Sequence, residues 1–167
     1  MYIDGKIDPL WNISDFYNLE YKLDYHKDLT LIEKYAHLGH PIKSMSVYNC
    51  FDDKIDINKS YILEKFNFLN HLSIAINLFK PGQYLPCHRD LYQRYKTVHG
   101  LGSSENIYRI ILMLENSSPG QILQIEDRAI AHWSAGNWFG WKDFDLHAFY
   151  NFSMKNRYAV QITGTVN

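Results

Sequence analysis

The stretch Leu72-Ser73-Ile74-Ala75-Ile76-Asn77-Leu78-Phe79, followed by the turn pair Pro81-Gly82, decides the fold class. It is short, apolar and bounded by a turn, with Ile74, Ile76 and Phe79 as strand formers, so it reads as a β-strand. Gln83 to His88 makes a second extended piece. A polar loop with Gly100, Gly102, Ser103 and Ser104 then runs from Arg89 to Ile107. Four apolar runs follow: Tyr108–Leu114, Gln121–Ile125, Ala129–Trp133 and Trp138–Trp141. Turn-forming segments such as Asn116-Ser117-Ser118-Pro119-Gly120 separate them. The last two strands are His147–Phe152 and Arg157–Thr163, split by Ser153-Met154-Lys155-Asn156. No helix fits between these strands, which excludes a βαβ arrangement. Short strands at regular spacing predict a mainly β sandwich or barrel.

Upstream of this run the pattern differs. The first 20 or so residues are turn-rich and are expected to lie as an extended arm over the core. Thr30-Leu31-Ile32-Glu33 fits a capping box that opens a helix toward His37, with Gly39 and Pro41 stopping it. Ile62, Phe66 and Leu69 recur at helical spacing and predict a second helix over Ser60 to Asn70. The 167 residues suit one domain. We divide it into an N-terminal arm with helices (residues 1–70) and a β core (71–167).

Composition narrows the function classes. Hydrophobic residues make up 46% and charged ones 21%, which excludes a disordered chain. Seventeen basic against eighteen acidic side chains give a net charge of −1, which argues against general nucleic-acid binding. Cys50 and Cys87 cannot build a disulfide framework or a four-thiolate zinc site, and Cys87 is expected to be a small core residue. Met1 to Lys6 lacks the features of a signal peptide, and no run of 18 apolar residues occurs. The expectation is a soluble cytoplasmic protein with no membrane partner.

The chemistry is concentrated in His88-Arg89-Asp90. Side chains at i and i+2 of an extended segment share a face, so His88 and Asp90 can reach one ion together. One imidazole and one carboxylate are two corners of the 2-His-1-carboxylate triad of non-heme Fe(II) oxygenases. His147 opens a later strand and supplies a candidate third corner. Arg157 follows ten residues on and opens the final strand. Along that strand Arg157, Ala159, Gln161 and Thr163 share one face, while Tyr158, Val160 and Ile162 share the other. On that small and polar face the Arg157 fork is suited to hold a carboxylate through two hydrogen bonds. Alone, the triplet also fits a surface histidine beside an aspartate.

With all four positions together, the chain resembles the Fe(II)- and 2-oxoglutarate-dependent dioxygenases. The segment from Lys80 to Asp90 is similar to that family's turn and strand before the first histidine. The segment from Gly136 to His147 is similar to the aspartyl/asparaginyl β-hydroxylase and proline hydroxylase branch. The likeness spans roughly residues 72–164 and does not extend to the first 70 residues. It implies a double-stranded β-helix (jelly roll, cupin-like) with short N-terminal helices packed outside. It also implies Fe(II) on His88, Asp90 and His147, 2-oxoglutarate as cosubstrate anchored by Arg157, and O2. The substrate class it implies is a small molecule or a polypeptide, with an amino-acid side chain hydroxylated.

The sequence departs from the family in one respect. Many relatives carry Ser or Thr two residues after the arginine, where this chain has Ala159. Thr163 and Tyr84 are the candidates for the missing hydroxyl, and Arg109 is a candidate second anion contact, with a solvated edge arginine as its alternative. Other readings are weaker. His37 and His40 flank helix-breaking Gly39, and no HExxH, GxSxG or dinucleotide-binding setting occurs. A metal-binding jelly roll without catalysis and a zinc hydrolase on a cupin-like barrel remain as alternatives. Trp133, Trp138 and Trp141 are expected mainly in the core.

Overall fold

The computed structural model describes residues 2–51, 59–102 and 106–166. Ser103 and Ser104 of the expected loop lie outside the described residues. In chain order the elements are β1 (Tyr2–Lys6), β2 (Lys22–Tyr25), α1 (Leu29–His37), β3 (Ser46–Phe51), α2 (Lys59–Lys65), β4 (Asn70–Phe79) and β5 (Tyr84–His88). There follow α3 (Gln93–His99), β6 (Asn106–Met113), β7 (Gln121–Ile125), β8 (Arg128–Ile130), β9 (Asn137–Lys142), β10 (His147–Asn151) and β11 (Arg157–Val166).

Two antiparallel sheets result. One runs β1-β9-β6-β11-β4-β3-β2 and the other β5-β10-β7-β8. From β4 onward the chain crosses repeatedly between them, which is the jelly-roll topology predicted for the second half. β11 lies at the centre of the larger sheet, with Val160 opposite Ile76 of β4 and Leu112 of β6.

The N-terminal half contributes more than an arm. β1 pairs with β9 along one margin, Tyr2 opposite Trp141, and β3 pairs with β4 along the other, Tyr48 opposite Leu78. Unpaired strand edges expose backbone donors and acceptors, and these added strands cover both margins. The helix expectations hold with shifted ends. Asp28, whose side chain accepts from the Leu31 N–H, caps α1 in place of Thr30. α2 stops at Lys65, because Asn70 already belongs to β4. The expected loop after Arg89 contains α3.

The larger sheet is buried on both faces. Tyr158, Val160 and Ile162 of β11 face outward onto Ile62, Phe66 and Leu69 from the α2 region. Ala159, Ile111, Met113, Phe79 and Phe149 pack between the two sheets. The alternation expected along the last strand is therefore the one observed. It directs Arg157 and Gln161 into the space between the sheets.

Candidate metal centre

β5 and β10 are neighbours, and His88 lies directly opposite His147 in their register. Their rings are 4.3 Å apart between centroids. His88 Nδ1 lies 2.6 Å from the Pro86 carbonyl and His147 Nδ1 3.1 Å from the Asp145 carbonyl. A carbonyl only accepts, so each ring carries its proton on Nδ1 and keeps a free lone pair on Nε2. Both Nε2 atoms face Asp90, at 3.8 Å from Oδ1 for His88 and 3.5 Å from Oδ2 for His147. The three residues offer ligand atoms all within 4.8 Å of one another. Backbone-tied imidazoles with a facing carboxylate form the donor set expected around a metal ion, and they suit Fe(II) or a similar divalent cation.

The electrostatics agree with a neutral imidazole at His147. Burial pushes the His147 pKa down to about 4, against the opposing pull of Asp90. Burial acts to raise the Asp90 carboxyl, but Arg109, then His147 and His88, outweigh it and hold the group below its ordinary value. Arg109 Nη2 lies 3.1 Å from Asp90 Oδ2, and its guanidinium stacks over the Tyr92 ring at 5.0 Å.

The triad opens on a cavity of about 50 Å³ between the sheets. Phe79, Leu85, Ile111, Trp141 and Phe149 form its apolar wall, and Asn77, Arg109 and Gln161 its polar one. Leu85 and His88 both line it although they are three residues apart. The reason is a bulge: β10 advances two residues from His147 to Phe149 while β5 retreats three, from His88 to Leu85.

The same bulge turns Tyr84 away. Its ring stacks on Tyr150 at 6.0 Å and packs near Tyr35 and His40 on the outer face of the small sheet. Thr163 sits opposite Arg109 in the β6–β11 register, six residues along the strand from Arg157. At about 3.3 Å per residue that is roughly 20 Å, too far to share one carboxylate with Arg157.

Arg157 is 1% exposed and lies behind Phe149, on whose ring its guanidinium stacks. Trp133 covers it at 4.8 Å. Among the described residues Nη2 reaches only the Met113 sulfur, at 3.3 Å, while Nε and Nη1 have no hydrogen-bond partner. Burial pushes its pKa well below the ordinary arginine value, with Glu115 opposing. A sealed guanidinium with two unengaged nitrogens fits a carboxylate supplied from outside the chain.

Some site neighbours were not singled out from the sequence. Gln161 could have been, since it shares the Arg157 face of β11. His26 could not: it follows β2 in the unmatched N-terminal half, yet its ring lies 4.6 Å from His88. Burial and His88 push its pKa down to about 4. Of the tryptophans, Trp133 and Trp138 pack in the two cores, while Trp141 also faces His147 at 4.5 Å.

No family model matches the sequence, and no curated protein matches it. Solved structures do resemble it. A Pseudomonas putida prolyl-4-hydroxylase superposes with a TM-score of 0.53 at 11% identity, over 93% of this chain and 97% of that one. The non-heme alpha-ketoglutarate-dependent carbocyclase SnoK from nogalamycin biosynthesis gives 0.54 at 12% identity, over 92% and 82%. The fold is a double-stranded β-helix. A putative sugar phosphate isomerase from Acidithiobacillus ferrooxidans also shares it, with a TM-score of 0.51 at 13% identity over 93% and 74%. The jelly roll thus accommodates more than one chemistry, and the site residues must decide between them. Among the described residues no helix is long and apolar enough to cross a membrane.

Proposed function

We propose that the chain is an Fe(II)- and 2-oxoglutarate-dependent oxygenase. The observation that carries this reading is the convergence of two Nδ1-tethered imidazoles and one carboxylate on a common point between the sheets. His88, Asp90 and His147 hold the iron. When bound, it would supply the oxidising chemistry, with O2 and the keto acid as its co-reactants. The protein's own part is to bind, orient and exclude water. Arg157 holds the far carboxylate of the keto acid, and the apolar wall from Phe79, Ile111, Trp141 and Phe149 keeps the space dry. The likeness to a prolyl-4-hydroxylase supports a hydroxylase acting on an amino-acid side chain, free or within a polypeptide.

The cavity of about 50 Å³ holds only a few waters, so admitting a five-carbon diacid requires a wall residue to move. Phe149 separates Arg157 from the triad and is the side chain in the way. The test is anaerobic addition of Fe(II) and 2-oxoglutarate. A weak visible charge-transfer band and, with air, conversion of 2-oxoglutarate to succinate are expected. Metal binding without either signal overturns the oxygenase in favour of a binding module. Hydrolysis independent of the keto acid favours the zinc alternative.

A further inference from the structure

The two oxygens of Asp90 are not equivalent. Oδ1 lies 3.8 Å from His88 Nε2 and Oδ2 3.5 Å from His147 Nε2, but Oδ2 alone also receives the Arg109 guanidinium, at 3.1 Å. Arg109 is nearly buried on β6, and Tyr92, two residues after Asp90, lies beneath its guanidinium. Tyr92 takes a left-handed backbone, φ 53°, which folds the chain so that carboxylate and ring approach the arginine together. Arg109 comes from β6, while Asp90 and Tyr92 come from the short segment between β5 and α3.

We propose that Arg109 is a positioning residue that restricts Asp90 to a single donor oxygen and neutralises its charge, so that a bound divalent cation keeps positions open for an anionic ligand. The inference rests on the metal reading given above. A carboxylate is able to bind a cation through one oxygen or both. An N–H committed to Oδ2 takes that oxygen out of competition and prevents Asp90 from filling a second position. The arrangement lowers metal affinity, because a cation meets −1 from Asp90 cancelled by +1 from Arg109, with two neutral imidazoles. Removing the arginine leaves a buried, uncompensated carboxylate that attracts a cation strongly. A residue that only supported the fold would have the opposite effect on metal affinity, or none.

The experiment is anaerobic Co(II) titration of the purified protein by calorimetry and visible absorption, followed by oxalate as the anionic probe. Arg109→Ala is expected to bind Co(II) about tenfold tighter or more. Its visible band should change in intensity, as the carboxylate adds its second oxygen, and oxalate should bind more weakly. Arg109→Lys should fall between the two. Arg109→Met keeps the stem over Tyr92 and carries the same expectation should the alanine variant lose its cooperative melting transition. Equal or weaker Co(II) binding with an unchanged band, in a folded variant, overturns the proposal. Absence of Co(II) binding in the wild type overturns the metal reading and this inference with it, whereas loss of the arginine effect alone leaves that reading intact.

Discussion

Replacing Arg157 by Met should stabilise the ligand-free protein while removing its response to 2-oxoglutarate. The structure allows the magnitude to be worked. Nε and Nη1 are buried and unpartnered among the described residues, and each such donor costs about 1–3 kcal/mol. Stacking on Phe149 and Trp133 returns about 2 kcal/mol when desolvated. Methionine has a similar length, no polar atoms to satisfy and a sulfur neighbour in Met113. Two such donors less the stacking leave a net gain of about 2 kcal/mol, within a span of about 0–4. The wild type, in contrast, gains about 2.7 kcal/mol from a ligand at one hundred times its dissociation constant. Urea unfolding of the Mn(II)-loaded proteins, with and without 2-oxoglutarate, reads both effects. The variant should be the more stable protein without ligand, and 2-oxoglutarate should raise the stability of the wild type alone. In direct titration, Arg157→Ala should weaken 2-oxoglutarate by roughly 2–5 kcal/mol, and Arg157→Lys should recover part of this. A methionine variant that is destabilised without ligand, or that keeps the ligand-induced gain, would refute the reasoning.

Alanine at His88, Asp90 or His147 should abolish 2-oxoglutarate turnover while leaving a cooperative unfolding transition; substantial turnover in any two of the three defeats the triad. Stability of the metal-free protein should fall as the pH drops from about 6.5 toward 4. His147 and His26 are each held near 4 in the fold against 6.5 unfolded, so the unfolded chain binds more protons across that window. His147 alone contributes about 3 kcal/mol to this loss, and pH-dependent urea midpoints that stay flat across the window contradict it. Gly136 has φ 87°, and a Cβ there would run into the Ile7 carbonyl beside the Ile7 N–H bond to the Gly136 carbonyl. Gly136→Ala should cost about 2 kcal/mol or more and loosen β1 from β9; an unchanged melting temperature would show that the arm yields freely.

Much of the fold is legible in the chain itself. The apolar runs after residue 70 alternate with turn residues, and alternation along Arg157 to Thr163 assigns each side chain to a face, because strand geometry is local. The triad was readable for the same reason: His88 and Asp90 are close in sequence, and His147 opens a recognisable strand. What required the tertiary structure was every property set by pairing between distant segments. The extra residue in β5, which brings Leu85 inward and turns Tyr84 out, exists only relative to β10. Tyr2–Lys6 and Ser46–Phe51 are short and weakly patterned, and they become strands because sheet edges need partners. The two arginines differ only in the fold. Arg109 meets a carboxylate carried on another segment, while Arg157 is enclosed by Phe149 and Trp133, with no carboxylate in ion-pair contact among the described residues. Sequence determines which residues can bear charge; the packing of remote strands decides which charges are met and which stand open to a ligand.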